Sequence, residues 1–221
     1  YPDLEQLVAI KRRHCAWLMV DEAHALGVVG ESGQGLFERF GVDPREIDIW
    51  MGTLSKTLAA CGGYIAGSEA MVSFLKHAAG SFVYSVGLSA PLAAAALEAL
   101  KLLHEEPERV ACLQANGALF LEEARKAGLD TGPSLGLAVV PVVVGDSLIA
   151  VALSQRLRRR GVNVQPIIHP AVTERASRLR FFITAQHTQD QIRAAVAKTR
   201  EELDHLGSSR AIVARPAILQ E

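Results

Sequence analysis

Residues 48–67 read DIWMGTLSKTLAACGGYIAG, from Asp48 to Gly67. An apolar run from Ile47 to Met51, with Asp48 inside it, breaks into Gly52-Thr53-Leu54-Ser55-Lys56. The pair Gly62-Gly63 then opens a second apolar run, Tyr64 to Ala66. The pattern is strand, loop, strand. A lysine set between two buried strands, among small and hydroxyl residues and with no acid close in sequence, is costly unless it has a partner or a chemical task.

Working outward, Leu4 to His14 alternates charge with Leu4, Leu7, Val8 and Ile10 and predicts a short amphipathic helix. Trp17-Leu18-Met19-Val20 follows as a strand of the doubly covered, parallel kind, ending on Asp21-Glu22-Ala23-His24. A glycine-rich loop, Gly27 to Gly35, and a short helix lead back to the opening stretch. This order is that of an open α/β sheet, which carries its active residues at the carboxyl ends of strands. Asp21, His24 and Lys56 all fall at such ends.

Downstream, helices are predicted over 71–79, from Ser89-Ala90-Pro91 to His104 with Ser89 as cap, and from Pro107 to Gly128. Then come strands over 137–144, 162–168 and 178–185, a helix over 148–160, and a closing helix over 188–206 opened by a Thr188/Gln191 capping box. The expected division is a partial large domain over 1–90, connecting helices over 91–130, a small α+β domain over 131–207, and a loosely held tail over 208–221.

Composition narrows the function. Lys and Arg number 23 against 24 Asp and Glu, which removes the electrostatic case for nucleic acid or an anionic membrane as partner. Apolar stretches break well before bilayer length, so no membrane span is expected, and the first residues lack a signal-peptide progression. Cys15, Cys61 and Cys112 are odd in number and lack metal-ligand spacing; they read as reduced thiols in a cytoplasmic setting, packed as small core hydrophobes, with no metal site.

Asp21-Glu22-Ala23-His24 admits two chemical readings. After an apolar strand it is similar to the magnesium-holding motif of a helicase, but that requires an upstream G-x-x-x-x-G-K-S/T loop, and none precedes it. The other reading joins Asp21 to Lys56. Pyridoxal phosphate withdraws electrons while its ring nitrogen stays protonated, which needs a fixed carboxylate, a flat small contact, donors for its phosphate and a lysine amine for its aldehyde.

On Asp21, Ala23-His24, the loop 30–35 (GESGQG), Gly52 to Lys56 and Gly62-Gly63, the sequence resembles the α-oxoamine synthases, fold-type I pyridoxal phosphate enzymes. The likeness continues through Tyr84-Ser85, Leu88, Pro91, Val164-Gln165-Pro166, Arg178-Leu179-Arg180 and Thr184 to Thr188. The resemblance implies the carboxyl-terminal part of a pyridoxal phosphate-dependent transferase fold: a partial, mostly parallel open sheet and a small α+β lobe. It implies that Lys56 holds the cofactor as a Schiff base and removes the substrate Cα proton. Asp21 would pair with the ring nitrogen and Ala23 would pack on the ring. His24 would bond the phenolic oxygen or the acyl carbonyl, Thr53 the phosphate, and Arg180 a substrate carboxylate.

The implied reaction is decarboxylative condensation of an amino acid with an acyl thioester, carried by coenzyme A or a carrier protein, in a homodimer. An aminotransferase or aldolase, or a non-catalytic dimerisation fragment, are the alternatives. Two positions depart from the family pattern: Val86-Gly87 stands where a neighbouring subunit reaches the phosphate, and Ala171 where a substrate-contacting Thr is usual. Members of that family carry roughly as much chain again before this point, set against usual domain sizes. The expectation is therefore a chain that holds the cofactor weakly or only with help from another, with bare sheet edges that favour self-association.

Overall fold

The computed structural model describes residues 1–213, with side chains through Gly207. The chain divides into two compact units, residues 1–111 and the residues from Cys112 onward. The boundary at 111/112 falls within the second of the expected connecting helices, Glu108–Lys126.

In the first unit, helix α1 (Leu4–His14) is capped by Asp3, whose carboxylate accepts the Gln6 N–H, and it buries Leu4 and Val8. It closes on Cys15, a left-handed residue with φ 48°. Strand β1 (Met19–Asp21) pairs in parallel with β2 (Ile49–Thr53), Met19 opposite Ile49 and Asp21 opposite Met51. Strand β3 (Gly63–Gly67) runs antiparallel on the far side of β2, with Thr53 opposite Gly63. The sheet order is β1-β2-β3, so β1 and β3 are its edges.

Between β1 and β2 lies α2 (Leu36–Phe40). After β3 come α3 (Glu69–Ala78), the single turn α4 (Gly80–Val83) and α5 (Ala90–Glu105). Asp48, the acid inside an apolar run, is accounted for by its partners: it accepts the Leu18 N–H at 2.8 Å and pairs with the Lys11 ammonium at 2.9 Å.

The second unit is built on an antiparallel sheet of order β4-β6-β5, with β4 at Val139–Val143, β5 at Gln165–Ile167 and β6 at Arg178–Phe182. Alternation along β4 and β6 turns Val140, Val142, Leu179 and Phe181 into the core. Helices α6 (Glu108–Lys126), α7 (Ser147–Arg159) and α8 (Gln189–Val213) supply Phe120, Leu153, Leu157, Ile192 and Val196 to the same cluster. The Thr188/Gln191 capping box forms in both directions. Helix α8 continues through Val213, past the expected start of a loose tail; residues 214–221 of that stretch lie outside the described residues.

Several expectations are corrected. Strand β1 is covered on one face only, with Val20 buried and Met19 exposed; Trp17, just before it, is 72% exposed. Strand β3 is exposed at every residue but Tyr64, which is half-buried. The three cysteines are free but exposed, not core hydrophobes: Cys15 and Cys61 sit in turns, and the Cys112 thiol donates to the Ala185 carbonyl at 3.2 Å. Ser89 stands at the start of α5 without making a side-chain cap. Among the described residues no helix is long and apolar enough to cross a membrane.

Candidate functional site

Two loops meet at the carboxyl end of the parallel β1/β2 pair. The Glu22 N–H donates to the Met51 carbonyl at 2.7 Å, carrying the ladder one step past Asp21. Asp21 Oδ1 then accepts the Ala23 N–H at 2.7 Å, folding the chain into a tight turn that presents Ala23 and His24. Asp21 and His24 are exposed and Ala23 is half-buried.

Glu22 points the other way, as alternation along a strand requires, and is buried. One of its oxygens accepts the Leu36 N–H at 2.8 Å, while Oε2 has no hydrogen-bond partner among the described residues. Burial raises the Glu22 carboxyl above the usual range; the Leu36 N–H opposes this and the charge of Asp21 adds to it. Gly35, at φ +105°, lies directly against this carboxylate, where an added Cβ would sit 2.6 Å from Oε2.

The lysine loop is pinned from both sides. Leu54 and Leu58 are buried against Ala96 of α5, leaving Ser55 and Lys56 between them exposed. Lys56 therefore lies in solvent, and the cost of a buried ammonium expected from the flanking strands does not arise. The Thr57 hydroxyl donates to the Leu26 carbonyl at 2.7 Å, tying the lysine loop to the loop that follows His24. Gly27 packs so closely on Thr57 that a side chain there would collide with it.

Thr53 closes β2 with its hydroxyl 2.8 Å from that of Ser55 and 3.2 Å from the Gly62 carbonyl. The Tyr64 ring covers Gly52, where a Cβ would collide with its phenol end. Burial first, then the charges of Glu22 and Asp21, raise the phenol above its ordinary value.

The fold thus gathers Asp21, Ala23, His24, Thr53 and Lys56 at one end of the first sheet. Arg180 belongs to the second unit, on β6 opposite Pro141 and Gln165. Its guanidinium lies 5.0 Å from the Phe182 ring centroid, and its Nε is buried without a partner among the described residues. His187 is structural: its Nδ1 accepts the Thr184 N–H at 3.1 Å ahead of the α8 cap.

Sequence reasoning missed Glu22, Thr57 and Tyr64. Glu22 is legible in retrospect, since alternation after a strand places it opposite Asp21, facing the glycine loop. The Thr57 and Tyr64 contacts come from residues far apart in sequence and leave no local signature.

The family model of aminotransferase class I and II matches residues 1–198. The chain is 38% identical over 206 residues to 8-amino-7-oxononanoate synthase 1 of Bacillus subtilis, covering 92% of this chain and 52% of that protein. It superimposes on serine palmitoyltransferase of Sphingomonas wittichii with a TM-score of 0.86 at 27% identity, covering 93% of this chain and 51% of the other. A structure of SPT with its PLP internal aldimine matches at a TM-score of 0.86 and 26% identity, covering 92% and 51%. The chain thus spans about half the length of the curated relatives it matches.

Proposed function

The chain belongs to the aminotransferase class I and II family, and from that membership we propose that it contributes the catalytic lysine and the ring-binding carboxylate of a pyridoxal phosphate-dependent α-oxoamine synthase. Such an enzyme condenses an amino acid with an acyl thioester and releases carbon dioxide, leaving an α-amino ketone. The observation that carries this reading is the convergence of Asp21 and Lys56 on the carboxyl ends of two neighbouring parallel strands.

The residues present fit the cofactor. An accessible amine, an accessible carboxylate and a hydroxyl pair lie at one strand-end edge, with Ala23 as a small neighbour, and this is the donor set that pyridoxal phosphate needs. When bound, the cofactor supplies an electron sink for the carbon attached to the amino group. Lys56 would hold its aldehyde and, once free, take the proton from the substrate Cα. Asp21, anchored by the Ala23 N–H, would keep the ring nitrogen protonated. Ala23 leaves room for a flat ring. His24 would donate to the phenolic oxygen or the acyl carbonyl, and Thr53 with Ser55 to the phosphate. On the family likeness, Arg180 would hold a substrate carboxylate.

The partners of this reading are an amino acid and an acyl thioester of coenzyme A or a carrier protein. A homodimer is part of it, supported by Val86, 100% exposed where the family likeness places a subunit contact. Three exposed free thiols support a reducing, cytoplasmic setting.

The test is direct. Pyridoxal phosphate added to the purified chain should give the visible absorbance of a lysine-bound cofactor, and borohydride should fix a pyridoxyl group on Lys56. Lys56→Ala should abolish both. Labelling spread over the surface lysines with no preference for Lys56 would overturn the assignment. Carbon dioxide release that depends on acyl thioester separates a synthase from an aminotransferase or aldolase, and a folded dimer blind to the cofactor would mark a non-catalytic module.

A further inference from the structure

Asp21 and Lys56 are connected by two routes, and the sheet is only the first. Along it, the Glu22 N–H donates to the Met51 carbonyl at 2.7 Å and β2 carries the chain on to the lysine. The second route leaves the same residue. The Glu22 carbonyl accepts the Leu26 N–H at 3.2 Å, and the Leu26 carbonyl accepts the Thr57 hydroxyl at 2.7 Å, one residue past Lys56. A loop held at one end pivots about it; a loop held at both does not.

The packing around Thr57 fixes that second hold. Gly27, at φ +78°, is buried, and its N–H donates to the Gly33 carbonyl at 2.7 Å. A Cβ there would lie 2.3 Å from the Thr57 methyl, so the backbone of the glycine loop is the surface on which that methyl rests. Branching at Cβ leaves threonine few rotamers, and a seated methyl therefore aims the hydroxyl. On the apolar side, Leu58 is buried and Leu26 packs against the cluster that Leu58 forms with Leu54 and Ala96. The two loops thus meet through both a hydrogen bond and an apolar contact, immediately after the lysine in sequence.

We propose that Thr57 is a positioning residue, its bond to Leu26 setting the span between the Lys56 amine and the Asp21 carboxylate so that one flat molecule meets both at once. This rests on the pyridoxal phosphate reading of those two residues. A lysine on a pivoting loop still condenses with an aldehyde, releasing water. What the pivot forfeits is register with the carboxylate, and small misplacements are costly where two groups must be met together. A hydroxyl that served folding alone would instead weaken every aldehyde ligand to the same degree.

The experiment titrates the 221-residue chain with pyridoxal phosphate and with its 1-deaza analogue, in which a CH replaces the ring nitrogen. Binding is read from the absorbance of the lysine-bound compound, with borohydride fixation at Lys56 and thermal unfolding followed in parallel. Thr57→Val keeps the shape and removes the donor; Thr57→Ala removes both and serves if the valine variant does not fold. Removing the donor should weaken pyridoxal phosphate about tenfold and leave the deaza analogue nearly unchanged, while Thr57→Ser should stay close to the parent. Asp21→Asn combined with loss of the donor should bind no more weakly than Asp21→Asn alone, since the two act on one contact. Equal weakening of both compounds, no weakening of either, additive losses in the combined variant, or unfolding of both donor-free variants would each overturn the proposal. A parent chain that gives no lysine-bound absorbance overturns the underlying reading and this inference with it. A parent that binds, beside a Thr57→Val chain that binds alike, removes the positioning role alone.

Discussion

At the end of β1 two acids follow one another, and the pleat sends them to opposite faces. Asp21 is left in solvent with one oxygen spent on its own turn, while Glu22 is shut in against Gly35 and Leu36. Replacing Glu22 by Leu leaves the buried Leu36 N–H unpaired and should cost about 1–3 kcal/mol in denaturant unfolding. Glu22→Gln keeps an acceptor and should cost less. The pH dependence has a definite sign. Burial raises the folded-state pKa of Glu22, so its favourable contribution is present below its unfolded pKa and is lost as pH rises through the higher folded value. Glu22→Gln should therefore gain stability relative to the parent between acidic and neutral pH, and an unchanged difference across that range would refute the assignment. That Asp21 and Lys56 stand at or just past strand ends was legible in sequence because strand ends are marked by where apolar runs stop. The exposure of Lys56 was not, because it depends on Leu54 and Leu58 rotating inward around it.

At the scale of elements, local patterning carried most of the reading. Helix α1 keeps its expected bounds because Asp3 and the apolar spacing mark them in sequence. The α8 cap is equally local, formed by two residues three apart. What the pattern could not show is how thickly each element is covered. Continuous apolar runs at β1 and β3 suggested burial on both faces, yet Met19 and every residue of β3 but Tyr64 are exposed. Asp48 shows how an acid earns a place in such a run. Desolvation pushes its carboxyl up, but the Leu18 N–H and Lys11 together outweigh this and hold it below its ordinary 3.8. Its stabilising contribution is present above that value and is lost as pH falls through the depressed one. Asp48→Ala, which strands the Leu18 N–H and leaves Lys11 with the Glu46 carbonyl, should cost about 1–3 kcal/mol at neutral pH and less as the solution is acidified, read by thermal unfolding.

Across the whole molecule, each unit buries apolar residues of its own: Leu4, Val20, Leu36 and Ile47 as well as the cluster of Leu54, Leu58 and Ala96 in the first, and a larger cluster from Phe120 to Val196 in the second. Leu153 is fully buried in the larger one, and Leu153→Ala should cost about 2–5 kcal/mol. Hydrogen exchange should register that loss in β4, β6 and α7 and leave the β1/β2 ladder as protected as before. Equal loss of protection in both would contradict the division. One further consequence follows from Cys61, which stands exposed on the wall of an apolar cleft in the first unit. In air, two copies would weld sulfur to sulfur at this wall, and the product would counterfeit a native pairing. Reductant, by keeping that thiol single, would keep the copies apart.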